Sequence, residues 1–165
     1  MSIRRYNELL LYSLLILSLF FHRFYGLPNL SLLLLLLPLA FLPSERFGLR
    51  SPWNLSLLML PLLYLLYPRN FLGLSLQAFG EELFFRGYLM RSFSNLRVSL
   101  LFTIPHVILY GDLWSWLTFF PSLFYGFIYQ KTTSLALVSV LHLSSNVLWF
   151  RFLHPFLSQS SLVSF

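Results

Sequence analysis

The sequence predicts an all-α fold, a polytopic transmembrane helical bundle of about seven helices, and three observations predict it. Hydrophobic residues make up 58% of the 165 positions and charged residues only 10%, where a soluble domain carries roughly a quarter. Phe and Leu dominate, mean hydropathy is strongly positive, and apolar runs recur along the whole length. The basic residues fall in the short gaps between those runs, as topology determinants and lipid-headgroup contacts do. The formal charge of +6 therefore points to membrane lipids as neighbours and not to nucleic acid. At about 20 residues per span almost nothing is left for a soluble domain, so the chain reads as one integral-membrane domain, residues 1–165. With no Cys, disulfides, thiolate metal sites and a cysteine nucleophile are excluded.

The elements follow in order. Arg4-Arg5 precede a first span from about Glu8 to Phe21 that ends at His22-Arg23. No small-x-small cleavage site follows, so an uncleaved first helix is expected. Gly26-Leu27-Pro28-Asn29 is a turn signal, and a Leu-rich second span runs from about Leu30 to Leu42. Pro43-Ser44-Glu45-Arg46 closes that span with a solvated Glu45-Arg46 pair, and Phe47 to Pro52 reads as a polar loop with Arg50. A third span covers about Trp53 to Tyr67, and Pro68-Arg69-Asn70 breaks the chain before a fourth helix that ends near Arg91. Further spans are expected at about Val98–Tyr110, Leu113–Tyr129 and Ser134–Phe152, with Asp112 as a turn residue and His22 and His154 at the interface. Placing the N-terminus in the cytoplasm puts Arg4, Arg5, Arg46, Arg50, Arg91, Arg97 and Lys131 inside and leaves Arg23, Arg69 and Arg151 outside. The positive-inside rule favours that orientation. The compact chain suggests a prokaryotic inner membrane.

The fourth helix organises the rest. Gln77-Ala78-Phe79-Gly80-Glu81-Glu82-Leu83-Phe84-Phe85-Arg86 places two adjacent carboxylates and a guanidinium in a membrane helix, and these are two of only five acidic residues in the protein. Each charge at bilayer depth costs about 2.5–3.5 kcal/mol on the most lenient scale, so partners are required. Glu82 and Arg86 share a helix face and can pair; Glu81 is turned about 100° away. One carboxylate can then be held ionised while the other exchanges protons. An ion pair that only fixes packing explains Glu82 and Arg86 but not Glu81. In the fifth span His106 shares a face with Phe102, and Pro105 should free the carbonyl near Leu101 and kink the helix. In the last span His142 and Asn146 are stacked on one face, and the Asn amide suits an oxyanion. An isolated His, or a His/Ser/Asn group in a span, also serves as interhelical glue. Together the groups can activate water and stabilise an oxyanion, the equipment of hydrolysis.

Glu81-Glu82-x-x-x-Arg86, then Phe102-x-x-x-His106, then His142-x-x-x-Asn146 resemble, in order, the three signature motifs of the CAAX-protease and bacteriocin-processing (CPBP) intramembrane endopeptidases, which include the type II CAAX prenyl proteases. The resemblance covers about Gln77 to Trp149, a catalytic core of 77–149. It implies peptide-bond hydrolysis by a glutamate-activated water, with Glu81 as general base and His106 helping to hold the water. His142 and Asn146 would form the oxyanion hole, with Glu82 and Arg86 as a supporting pair and Phe102 beside His106. No cofactor or metal is implied. The chain is short for a CAAX protease and resembles the short members thought to cleave C-terminal sorting tails of exported proteins. The expected substrate is thus a peptide or protein with a membrane-proximal cleavage site, met in a cavity in the middle or outer leaflet. Two rivals remain open on the residues alone. Zinc held by two His and a Glu would share most of the site, and a transporter or non-catalytic scaffold would use the charges as an ion path.

Overall fold

Helix α1 (Ile3–Tyr25) stops where Gly26 adopts φ 69° and the chain turns through His22, whose Nδ1 lies 2.8 Å from the Leu27 carbonyl. The computed structural model describes residues 3–43 and 52–155, and the described residues are helical with short connections. Asn29 Oδ1 accepts from the Ser31 amide at 2.9 Å and opens α2 (Ser31–Leu36), which tightens into a 3-10 turn at Leu37–Ala40 around Pro38. Stretch α3 begins as a 3-10 helix (Pro52–Met59) and relaxes into an α-helix (Leu60–Leu66). Helix α4 (Phe71–Glu82) widens into a π turn (Leu83–Tyr88) and closes with a 3-10 turn (Leu89–Arg91). Helix α5 (Asn95–Tyr110) ends at Gly111, whose φ of 70° lets its amide close on the Val107 carbonyl. Then come α6 (Leu113–Leu117), α7 (Phe119–Thr132) and α8 (Leu135–Leu148), the last followed by a second π turn (Trp149–Leu153).

The packing centres on α4 and α8, which lie against each other; α7 packs on α8 and on α5, α1 on α5 and α2, α2 on α4, and the 3-10 part of α3 on α8. Leu11, Leu15, Leu83, Phe84, Phe85, Leu89, Val98, Phe102, Tyr125 and Val138 share the larger buried cluster, and Leu63, Ala78, Val140, Leu143 and Val147 form a second one among α3, α4 and α8. Small residues set the close approaches. A Cβ on Gly126 of α7 would overlap the Asn95 side chain, which instead donates from Nδ2 to the Leu123 carbonyl at 2.9 Å and ties α5 to α7. Ser134 caps α8 by accepting from the Leu137 amide at 3.1 Å and donates to Asn54 Oδ1, which fastens α3 to α8.

Seven helical stretches are present among the described residues if α6 and α7 are taken as one, but only Tyr6–Tyr25 and Leu135–Leu153 are both long and apolar enough to cross a membrane by length and composition. Ser31–Ala40, Pro52–Leu66 and Asn95–Tyr110 are apolar and shorter. The expected sixth span is split at Thr118, for a local reason. Asp112 is more than a turn residue: its Oδ1 accepts from the Ser115 amide at 2.7 Å and starts α6. Ser115 and Thr118 then hydrogen-bond back to the carbonyls of Asp112 and Ser115, and Pro121 lacks the amide that would continue the ladder. The Glu45-Arg46 pair and Arg50 lie outside the described residues, as do the last ten.

Pro105 behaves as its chemistry requires. Without an amide it cannot bond the Leu101 carbonyl, and the Tyr12 hydroxyl of α1 donates to that oxygen at 2.9 Å. The join lies one turn before His106. A Tyr12→Phe substitution should leave this carbonyl unpaired and cost about 1 kcal/mol, read as a lowered thermal midpoint in detergent with unchanged helix content.

Candidate active site

The interior of the helix assembly is where the charges are. Glu8, Glu81, Glu82, Arg86 and His142 are buried, while Leu55, Leu58, Leu65, Leu72, Leu113 and Phe120 are exposed. On α4, Glu82 sits at the last α-helical position and Arg86 inside the π turn. Arg86 Nε lies 3.1 Å from Glu82 Oε2 with both side chains fully buried. Burial of a guanidinium favours partners for its donors and faces, although Nη1 makes no hydrogen bond to the described residues. Nη2 donates to the Ser122 carbonyl at 2.7 Å and to the Ser122 hydroxyl at 2.8 Å, both on α7. The Phe102 ring lies against the guanidinium at 4.9 Å and the Tyr125 ring at 5.8 Å, measured to the ring centroids.

His142 of α8 stands between the two carboxylates. Its Nδ1 is 2.8 Å from Glu82 Oε1, so the Nδ1–H donates to Glu82, and its Nε2 lies 3.6 Å from Glu81 Oε2. The sequence reading turned Glu81 away from Glu82's partners; the structure instead aims both carboxylates at one imidazole from opposite nitrogens. Adjacent helical positions can do this because α8 lies directly against α4 and reaches into the angle between them. The Tyr125 ring stacks on His142 (centroids 5.5 Å apart, planes at 25°), and its hydroxyl donates to Ser145 Oγ at 2.6 Å.

His106 of α5 closes the other side. Its Nδ1 is 2.9 Å from the Phe102 carbonyl, which only accepts, so that nitrogen carries the proton. Nε2 then points at Glu81 Oε2, 4.0 Å away. Phe102, expected only to share a face with His106, is a hub. Its ring stacks on His106 at 4.6 Å, meets His142 edge-on at 5.7 Å and packs against Phe85 at 5.0 Å. Glu81 Oε1 accepts from Gln77 Nε2, while Oε2 is buried with no hydrogen bond to the described residues. Asn146 lies one turn beyond His142 on α8, half-buried, its amide unengaged by any described residue.

The structure thus brings Glu81, Glu82, Arg86, Phe102, His106 and His142 together and keeps Asn146 on the His142 helix. Gln77, Ser122 and Tyr125 were not singled out beforehand. Gln77 had a signal, an amide one helical turn before Glu81 in an apolar helix; Ser122 and Tyr125 had none, since α7 contributes them only through packing. Among the described residues no three His, Cys, Asp or Glu side chains converge with metal-ligand geometry.

No curated protein and no solved structure matches the chain. The family model described as type II CAAX prenyl endopeptidase Rce1-like matches residues 53–148, more than half of the chain and all seven of the site residues predicted from sequence. The chain therefore belongs to the Rce1-like type II CAAX prenyl endopeptidase family, whose activity is that of a CAAX-type intramembrane protease.

Proposed function

We propose that this protein is an intramembrane endopeptidase of the glutamic type, in which Glu81 activates water for attack on a peptide bond close to the membrane. One observation carries the reading. Buried Glu81 Oε2 makes no hydrogen bond to the described residues, and two imidazole Nε2 atoms face it at 3.6 and 4.0 Å. Those separations exceed direct hydrogen bonding and suit one water held among the three atoms.

The tautomers assign the work. His106 has its proton at Nδ1, so neutral Nε2 accepts one hydrogen of the water while Glu81 Oε2 accepts the other. Both hydrogens being held, an oxygen lone pair is left to attack the carbonyl carbon. Glu81 takes the proton as the C–O bond forms, and returns it to the amide nitrogen as the C–N bond breaks. His142 gives its Nδ1–H to Glu82. Protonated at Nε2 as well, it donates to the developing oxyanion together with the free Asn146 amide. In that state Glu81 and Glu82 are balanced by Arg86 and His142, which a low-dielectric interior requires. Glu82, Arg86 and Phe102 support the reacting groups, and no metal or cofactor has a part.

The membrane setting is supported by the inverted polarity of the molecule, with charges inside and large apolar side chains outside. Stretch α3, though only 15 residues from Pro52 to Leu66, gains length from its 3-10 turns and reaches about 26 Å, close to a hydrocarbon core. We read the chain as a polytopic bundle in a prokaryotic inner membrane, N-terminus in the cytoplasm, with the whole chain one domain. The site opens in the middle or outer leaflet toward membrane-proximal tails or sorting signals of exported or lipid-modified proteins.

Three outcomes are expected. In liposomes, with a panel of prenylated CAAX peptides and apolar C-terminal tails, Glu81→Gln should lose turnover by 10²–10⁴-fold or more, while a chelator leaves the wild type unaffected; chelator-sensitive cleavage would transfer the water to zinc. Asn146→Ala should lower kcat by roughly 10²–10³-fold, and full activity there would remove it from the oxyanion hole. Gly111 is strained for any side chain at φ 70°, so topology is better read two residues on. A Cys at exposed Leu113 should label from the outer face of intact cells, and labelling only from the cytoplasmic face would reverse the orientation.

A further inference from the structure

We infer that Gln77 is a positioning residue for Glu81, holding the plane of its carboxylate so that one oxygen faces the water. The inference rests on the proposed role of Glu81 and deepens it. Gln77 stands four residues before Glu81 on α4, and both residues lie in its regular α-helical part, so their side chains lie along one face. The Gln77 amide nitrogen donates to Glu81 Oε1. The two oxygens of Glu81 are therefore unequal. Oε1 is engaged by Gln77, and Oε2 is buried, makes no hydrogen bond to the described residues and is directed at His106 and His142.

A carboxylate with no such tether rotates about its terminal torsion, which is broad and roughly two-fold. A partial rotation would turn both oxygens out from between the imidazoles, whereas a half-turn only exchanges two equivalent oxygens. A single amide donor on Oε1 removes that freedom before substrate arrives, the way partners one step removed orient catalytic and ligating groups elsewhere. Gln77 suits an apolar helix because it is neutral and a donor. A cation there would pair with Glu81 and compete for its charge, and a second carboxylate would repel it. An amide in a membrane helix also needs a partner for its own sake, and the Glu81 oxygen supplies it.

The effect should fall on kcat and not on binding, because Gln77 acts through Glu81. Gln77→Met keeps the length and unbranched shape, tolerates an apolar setting and deletes the donor. Gln77→Glu keeps the shape and replaces the donor with an acceptor. Both should be assayed in liposomes on the peptide the wild type cleaves best, beside wild type and Glu81→Gln, with the amount of folded protein measured in each preparation. Gln77→Met is expected to lower kcat roughly 10- to 100-fold with KM within about twofold, and Gln77→Glu to lower it at least as far. Wild-type kcat in either variant, with Glu81→Gln inactive, overturns the positioning role and leaves the glutamic mechanism standing. Equal losses in kcat and in folded protein would also overturn it, by making Gln77 structural. An active Glu81→Gln enzyme would instead remove the mechanism on which the inference rests.

Discussion

The contact on which the rest depends is the buried pair of Glu82 and Arg86. Neither side chain reaches solvent, and an uncompensated charge at that depth costs several kcal/mol. The surroundings are arranged accordingly. Ser122 supplies two acceptors from α7, Phe102 and Tyr125 supply ring faces from α5 and α7, and His142 supplies a donor from α8. The helices that bear these groups can meet in few other ways, because separating any of them strands a charge. The ion pair that sets the packing also fixes the distance from Glu82 to His142, and through it the position of the imidazole beside Glu81.

Interruptions of regular helix cluster on this arrangement. The π turn at Leu83–Tyr88 begins directly after Glu82 and contains Arg86, and such turns occur often at functional sites. Pro105 stands beside His106, and the gap it leaves in the α5 ladder is filled by Tyr12 from a distant helix. A regular α-helix would satisfy its own backbone and offer its neighbours only side chains. Here the Leu101 carbonyl that Pro105 frees binds α1 to α5. Irregular backbone in an apolar interior is tolerable where the groups it frees are met by protein, as Tyr12 meets the Leu101 carbonyl.

Much of the site was legible in the sequence, because charges in an apolar chain are few and have to find one another. Glu81, Glu82, Arg86, His106 and His142 stood out against the leucines on composition alone, and helical spacing placed Arg86 by Glu82. The freed Leu101 carbonyl followed from the covalent structure of proline. Less could be read where partners come from side chains that are ordinary elsewhere. Ser122 and Tyr125 are unexceptional in an apolar helix, and their place beside Arg86 and His142 is set by how α7 packs. The convergence of both carboxylates on His142 was missed for a related reason. Helical spacing within α4 separates the two side chains, whereas a neighbouring helix can fill the angle between two adjacent residues. The break at Thr118 went unseen because Ser and Thr hydroxyls can stay in a helix or end one, and the choice depends on Pro121 and Asp112 acting together.

The same geometry explains how two neighbouring carboxylates could serve different ends. Glu82 is held by an ion pair with Arg86 at one oxygen and by the His142 hydrogen bond at the other, so a proton arriving there would disturb a strong contact. Glu81 is tethered at one oxygen only, and its second oxygen faces nitrogen atoms that stop short of bonding it. The proposed base must gain and lose a proton without disturbing the scaffold, and Glu81, which stands outside the Arg86 ion pair, is the better placed of the two. On the proposed mechanism adjacent residues divide the tasks of holding and reacting, and the division comes from the helices around them, since the side chains themselves are chemically identical.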